Sequence, residues 1–346
     1  MSETPSAYRR AGVDIDRKYA AVSGASSAIR STFTPGVVGD VGLFGGLFDP
    51  SAVGAGSDLL VASTDGVGTK VMVARMAGDL STVGEDLVNH CVDDILVQGA
   101  RPLFFLDYVA MSVMDPPAVQ QLLAGLAKAC RENGCALLGG ETAEMPGVYR
   151  DGEIDVAGTI VGAVARDELL DGKKIRPGDR LLGLRSSGLH TNGYSLARKV
   201  LFGDCRFRLE DEPEELDGVS IGRALLAVHR SYLGPCLPLV RKGLLTGMAH
   251  ITGGGLPDNL PRILPIGTAA RIETAGIPRS PICELIVSRG KVGRGEAYRV
   301  LNMGVGMVLV LRERSLEPVR AMLSDAGEDA FDLGVITEGD RAVVLE

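Results

Sequence analysis

Hydrophobic residues along this chain alternate between short continuous runs and helical spacings. Residues 58–64 (DLLVAST) form an apolar run ending in a glycine turn, which predicts a strand. Residues 81–98 place Val83, Leu87, Val88, Cys91, Ile95 and Leu96 on one helical stripe. Thr82 followed by Glu85 fits a capping box at the start of that helix. Residues 102–110 predict a strand. Residues 117–133 predict an amphipathic helix that stops at Asn133-Gly134. Residues 136–138 and 155–165 predict two more strands.

Residues 166–180 (RDELLDGKKIRPGDR) are polar and carry a Pro-Gly turn, so the domain boundary is placed there. The pattern then restarts, with strands at 180–184, 269–272 and 307–311 and helices at 193–201 and 222–241. Residues 1–35 are polar and mixed and read as a mobile arm. A glycine/phenylalanine segment, residues 39–48, follows it. No internal repeat is visible. Strands alternate with helices in both halves, so the class is α/β (α+β) with two domains, 1–168 and 169–346.

Composition narrows the function. Hydrophobic residues make up 45% of the 346 and aromatics only 4%, so the cores must be aliphatic. The net charge is −8 and no basic stripe appears, which argues against nucleic acid. The six cysteines form no CxxC pair and have no histidines at zinc-finger spacing, so reduced thiols are expected. The first residues lack an apolar signal core, and no apolar run spans a membrane, so a cytoplasmic location is expected.

Several segments carry candidate chemistry. Asp65-Gly66-Val67-Gly68-Thr69-Lys70 follows the first strand. Its amides and lysine suit phosphate oxygens and Asp65 suits Mg²⁺, although a plain structural turn fits equally. It is neither GxxxxGK[ST] nor GxGxxG. On the next helix Asp86, Asn89, His90 and Asp93 share one face, and Asp94 lies one position round. A solvated acidic face is the bland alternative. The apolar neighbours of Asp93 and Asp94 suggest instead a half-buried pair needing a counter-ion. Gly139-Gly140-Glu141 follows a strand. Ser186–Tyr194 precedes a helix, where backbone donors suit a phosphate and a helix cap is the competing reading. His250 stands beside Gly253-Gly254-Gly255, and three glycines in a row favour close approach to a ligand. Residues 296–307 enter a strand through an NMGVGM turn.

Taken together, DGVGTK, VDDILVQGARPLFFLDY, GGETAEMPG, SSGLHTNGYSLAR, HITGGGLPDNLPR and NMGVGM resemble the phosphoribosylformylglycinamidine cyclo-ligase family, also called aminoimidazole ribonucleotide synthetases. With YRRAGVDID and GLFGGLF the motifs cover nearly the whole chain, in family order. DGVGTK is shared with a wider superfamily, while GGETAEMPG with LHTNGYSLAR is more specific. The resemblance implies a homodimer joined through its N-terminal sheets. It also implies an N-terminal ATP-binding domain with a ferredoxin-like mixed sheet and a C-terminal α/β substrate domain. The implied reaction is ATP-dependent closure of formylglycinamidine ribonucleotide to aminoimidazole ribonucleotide, with Mg²⁺.

The resemblance assigns Asp65, Asp94 and Glu141 to the metal. Asp65, Gly66, Gly68, Thr69, Lys70, Asp93, Gly139 and Gly140 go to ATP and its phosphates. Ser187, Gly188, His190, Asn192, Thr252, Gly253, Gly254 and Gly255 go to the ribonucleotide. His190, His250 and Lys70 become the catalytic candidates. Asn is usual in the family where this chain has Asp93. The alternatives are another ATP enzyme of the superfamily, such as formylglycinamidine synthetase or thiamine-phosphate kinase, and a non-catalytic nucleotide-binding protein. A selenophosphate synthetase would need a reactive N-terminal cysteine, and the first cysteine here is Cys91.

Overall fold

The computed structural model describes residues 6–40 and 42–346, so residues 1–5 of the expected arm and Val41 lie outside the described residues. Its strands form two six-stranded sheets. The first holds β1 (Val37–Val38), β2 (Gly46–Phe48), β3 (Leu59–Gly66), β4 (Arg101–Met111), β5 (Ala136–Glu144) and β6 (Ile154–Val164), in the order β1-β2-β3-β6-β4-β5. All neighbours pair antiparallel except β4 and β5, which are parallel. A parallel pair needs a crossover, and α5 (Pro116–Glu132) supplies it. Asp115 caps α5 by accepting from the Ala118 amide, and Pro116 fills its first turn.

Helix α3 (Lys70–Ala77) leads into α4 (Ser81–Leu96), whose apolar stripe packs on the sheet beside Val61, Phe105 and Ile160. Helices α4 and α5 cross at Gly84 and Gly125. A Cβ on either glycine would collide with the backbone of the other helix. The expected capping box at Thr82 and Glu85 does not form. Asp79 instead accepts from the Ser81 amide at 2.9 Å, Glu85 pairs with Lys128, and the Thr82 hydroxyl is buried without a partner.

The second sheet runs β12-β9-β11-β7-β10-β8 and uses only residues after 179. Its strands are β7 (Arg180–Arg185), β8 (Leu245–His250), β9 (Thr268–Ile272), β10 (Val305–Leu311), β11 (Ala330–Glu338) and β12 (Val343–Leu345). One buried cluster joins this sheet to α8 (Leu233–Arg241), α9 (Gly255–Asn259) and α12 (Leu316–Asp325), and it takes in Leu96 and Val97 from the first half. Another gathers α6 (Tyr194–Arg198), α7 (Ile221–Leu225), α10 (Pro281–Gly290) and α11 (Arg294–Val300).

Two expectations change. The single helix expected over 222–241 is two helices, α7 and α8, separated by an irregular segment whose backbone bonds to α4 rather than to itself. The polar arm contains α1 (Ala7–Arg10) and α2 (Ile15–Arg30). It is tied to the second half by Tyr8 donating to Glu296 and by Asp16 pairing with Arg299. No helix among the described residues is long and apolar enough to cross a membrane.

Replacing Gly125 with Ala puts a methyl group into the α4–α5 crossing. The expected cost is about 1–3 kcal/mol of stability in urea denaturation, as for other overpacked interiors. A variant as stable as wild type would show that the two helices separate freely.

Candidate active site

The polar ridge of α4 divides between two tasks. Asp86, Asn89 and Asp93 hold the backbone of residues 227–232. Asp86 accepts from the His229 amide at 2.6 Å, Asn89 donates to the His229 carbonyl at 2.7 Å, and Asp93 accepts from the Tyr232 amide at 2.8 Å. Lys70 completes the contact. Its ammonium lies 2.8 Å from Asp86 Oδ2, donates to the Ala227 carbonyl at 2.8 Å, and has no exposed surface. Burial pushes the Lys70 pKa down and the Asp86 pKa up, each opposed by the other's charge. Burial also raises Asp93 well above the usual carboxylate range, which favours its neutral form.

His90 and Asp94 form the second group. His90 Nε2 lies 2.6 Å from Asp65 Oδ2 and Nδ1 lies 2.7 Å from the Thr191 hydroxyl. Asp94 accepts from Ser63 at 3.2 Å and sits 2.8 Å from His250 Nδ1. Burial alone would lower the His90 pKa, but Asp65, Asp94 and Asp93 together outweigh it and raise the value to about 9. Asp65, His90 and Asp94 bring ligand atoms within 4.8 Å of one another. Two carboxylates there offer the hard oxygen donors that Mg²⁺ prefers.

Two clefts flank the loop 186–195. The first, about 430 Å³, is lined by Asp65, Gly66, Gly68 and Thr69 on one side and by Thr191, Asn192, Gly193 and Ser195 on the other, with Asp155 at its edge. The second, about 440 Å³, is lined by Ser186, Ser187, Gly188 and Gly304 with Arg185, Arg223 and Arg279. Left-handed backbone at His190 (φ 59°) and Gly193 (φ 79°) turns the loop between them, and a Cβ at Gly193 would strike Leu301.

The structure thus gathers Asp65, Gly66, Gly68, Thr69 and Asn192 in one cleft and sends Ser187 and Gly188 to the other. It corrects several expectations. Lys70 faces Asp86 in the interior instead of a phosphate. Asp93 holds the Tyr232 amide. His190 and His250 are fully buried and line neither cleft.

Glu141 shares a row with Gly66 through Tyr108 and Ala157, which puts three strand spacings, roughly 14 Å, between them. It therefore does not join Asp65 and Asp94 within one chain. Gly139 and Gly140 lie on the same exposed strand, and a Cβ at Gly140 would strike Asp107. In the triple glycine, Gly254 and Gly255 are buried and serve packing, while Gly253 is exposed beside Asn192. Gly254 and Gly255 have φ of 99° and 59°, and a Cβ on Gly255 would collide with the Tyr298 carbonyl. Thr252 bonds with Asn259. Asp155, Arg185 and Arg223 were missed in the sequence. Only Arg185 adjoins a segment singled out there, Ser186–Tyr194.

Two domain families match the chain: AIR synthase related protein, N-terminal domain, over residues 48–164, and AIR synthase related protein, C-terminal domain, over residues 176–345. The chain is 48% identical to the phosphoribosylformylglycinamidine cyclo-ligase of Syntrophotalea carbinolica, over 98% of this chain and 97% of that one. It is 46% identical to the enzyme of the same name from Shouchella clausii, over 98% of both. Its fold is similar to that of a thiamine-monophosphate kinase from Stenotrophomonas maltophilia, with a TM-score of 0.63 and 18% identity, covering 94% of this chain and 96% of that one. It is also similar to a hydrogenase maturation protein HypE in complex with ATP, with a TM-score of 0.62 and 22% identity, covering 83% and 81%.

The raised His90 pKa makes a pH prediction. A histidine pKa lifted from about 6.5 to about 9 on folding contributes stability that is complete below pH 6.5 and lost as pH rises through 9. Without divalent ions, wild type should therefore exceed His90→Gln in stability most at pH 6. That margin should shrink by up to roughly 3 kcal/mol by pH 9.5. A margin independent of pH in urea unfolding would contradict the charged state of His90.

Proposed function

The chain belongs to the AIR synthase related family, among the phosphoribosylformylglycinamidine cyclo-ligases, and we propose from that membership how its clefts carry the reaction. The enzyme is an ATP-dependent ligase that forms a C–N bond in purine biosynthesis. ATP phosphorylates the formyl amide oxygen of formylglycinamidine ribonucleotide. The amidine nitrogen then attacks that carbon, the imidazole closes, and phosphate leaves. An amide oxygen leaves poorly and a phosphate leaves well, so the protein's work is positioning and neutralising charge.

The observation that carries this reading is the convergence of the Asp65–Thr69 and Thr191–Ser195 loops on one cleft. In this reading the amides of Gly66, Gly68 and Gly193 meet the nucleotide phosphates. Asp65 and Asp94 would hold Mg²⁺, which supplies neutralising charge beside those phosphates when bound, and Asp155 stands ready as a further carboxylate. His250 acts as a positioning residue that fixes Asp94. The second cleft sets Arg185 and Arg223 beside Ser187 and Gly188, a donor set suited to the anionic group of the ribonucleotide. The reading divides the chain at 168/169 and puts the enzyme in the cytoplasm. It pairs two chains through the first sheet, where β5 is the edge strand and Leu106 and Leu138 are exposed. In such a dimer Glu141 would face the partner. A kinase reading rests on a likeness of fold alone.

With ATP, Mg²⁺ and formylglycinamidine ribonucleotide, the protein should form aminoimidazole ribonucleotide and ADP in equal amounts. ADP release independent of the ribonucleotide would sink this reading. Asp94→Asn should lower turnover roughly 10–100-fold while the protein stays folded. Wild-type kinetics would remove Asp94 from the site.

A further inference from the structure

All four histidines of the chain are buried where the two halves meet, and the reaction described above makes no use of His229. His90 comes from α4, His250 from the end of β8, and His229 from the segment clamped by α4. Their rings stand at the corners of a nearly equilateral triangle, with centres 5.2, 5.1 and 5.1 Å apart. Each offers a ligand nitrogen within 4.8 Å of the other two, and His229 Nε2 lies 3.1 Å from His250 Nε2. Imidazoles bound to one tetrahedral ion at about 2.0–2.1 Å per nitrogen stand roughly 3.3 Å apart by nitrogen and roughly 5 Å apart by ring centre. The three ring centres and the His229–His250 nitrogens have those separations.

The surroundings agree. Asp94 Oδ1 holds His250 Nδ1 at 2.8 Å, which fixes a proton there and leaves the Nε2 lone pair for a ligand. A carboxylate behind a histidine is the usual support of a metal-bound imidazole. Burial pushes the His229 and His250 pKa values down, which keeps these rings neutral as ligands, while His90, charged beside Asp65, gives up a proton when the ion binds. A hydrogen bond between His229 and His250 accounts for that pair alone. It leaves His229 Nδ1 buried without a hydrogen bond, and likewise Asp93 Oδ2, which lies 3.5 Å from His229 Nε2. With an ion on both Nε2 atoms, the proton they share moves to His229 Nδ1.

We propose that His90, His229 and His250 form a site for a divalent transition-metal ion, best matched by Zn²⁺, which ties the two halves of the chain together. Imidazole nitrogen suits zinc and its neighbours and does not suit Mg²⁺, so this site differs in chemistry from the adjoining Asp65–Asp94 pair, with which it shares His90. An ion on His90 Nε2 takes the place of the bond this nitrogen now makes to Asp65 Oδ2 at 2.6 Å. The proposal does not rest on the ring-closing reading.

Cobalt(II) is the probe, because its visible bands are intense in a tetrahedral nitrogen site and weak in an octahedral oxygen site. Metal-free full-length protein, without Mg²⁺ or ATP, should bind one Co²⁺ per chain with tetrahedral bands. His229→Gln should lose them and bind at least about a hundredfold more weakly. Zn²⁺ should raise the melting temperature of wild type and leave that of the variant unchanged. Weak octahedral bands in wild type, or wild-type binding by folded His229→Gln, overturn the proposal. If His229→Gln fails to fold, X-ray absorption of the wild-type cobalt complex decides: a shell with three imidazoles supports the site and an all-oxygen shell overturns it.

Discussion

A ridge of polar side chains on one helix, α4, grips the backbone of a segment more than a hundred residues away in sequence. Asp86, Asn89 and Asp93 take hydrogen bonds from or give them to residues 229 and 232, and Lys70 neutralises Asp86 from beneath. Charges in an apolar interior are tolerated only when paired and fully bonded. The interface is therefore specific. Sliding the segment by one residue would take a backbone partner from Asp86, Asp93 and Lys70 at once. Asn133 extends the grip, donating to Asn89 at 2.8 Å and accepting from Ser231 at 2.6 Å.

The site follows from that fixed contact. Once residues 227–232 are held, Tyr232 reaches β7 and donates to the Arg185 carbonyl at 2.6 Å. The neighbouring ridge of α4 then meets the end of β3 at Asp65 and the end of β8 at His250. The loop 186–195, bent at His190 and Gly193, separates the two clefts. One faces the carboxylates and the other faces the arginines. The fold thus sets glycine-rich backbone, two carboxylates and an arginine-lined pocket around one loop.

Much of this was legible in the sequence. The aliphatic period of α4, the strand before Asp65 and the stop at Asn133-Gly134 all depend on local spacing, which the fold respects. The matched motifs identified the chemistry. The polar face of α4 was harder to read. Four polar residues at helical spacing look the same whether they meet water, a metal or a distant backbone, and the partner here arrives from residues 227–232. The same segment spoiled the helix expected over 222–241, because α4 satisfies backbone groups that a continuous helix would have used itself. Lys70 follows a glycine loop in sequence, but helix α3 turns its side chain inward. Glu141 sits three strand spacings from Gly66, a separation set by strand order, which no local pattern encodes.

The dependence of the site on this grip is tested most directly by native-state hydrogen exchange at the His229 and Tyr232 amides. The account predicts that both exchange as slowly as the core amides of α4, through unfolding of the molecule as a whole. Rapid exchange at these two amides while α4 stays protected would contradict it.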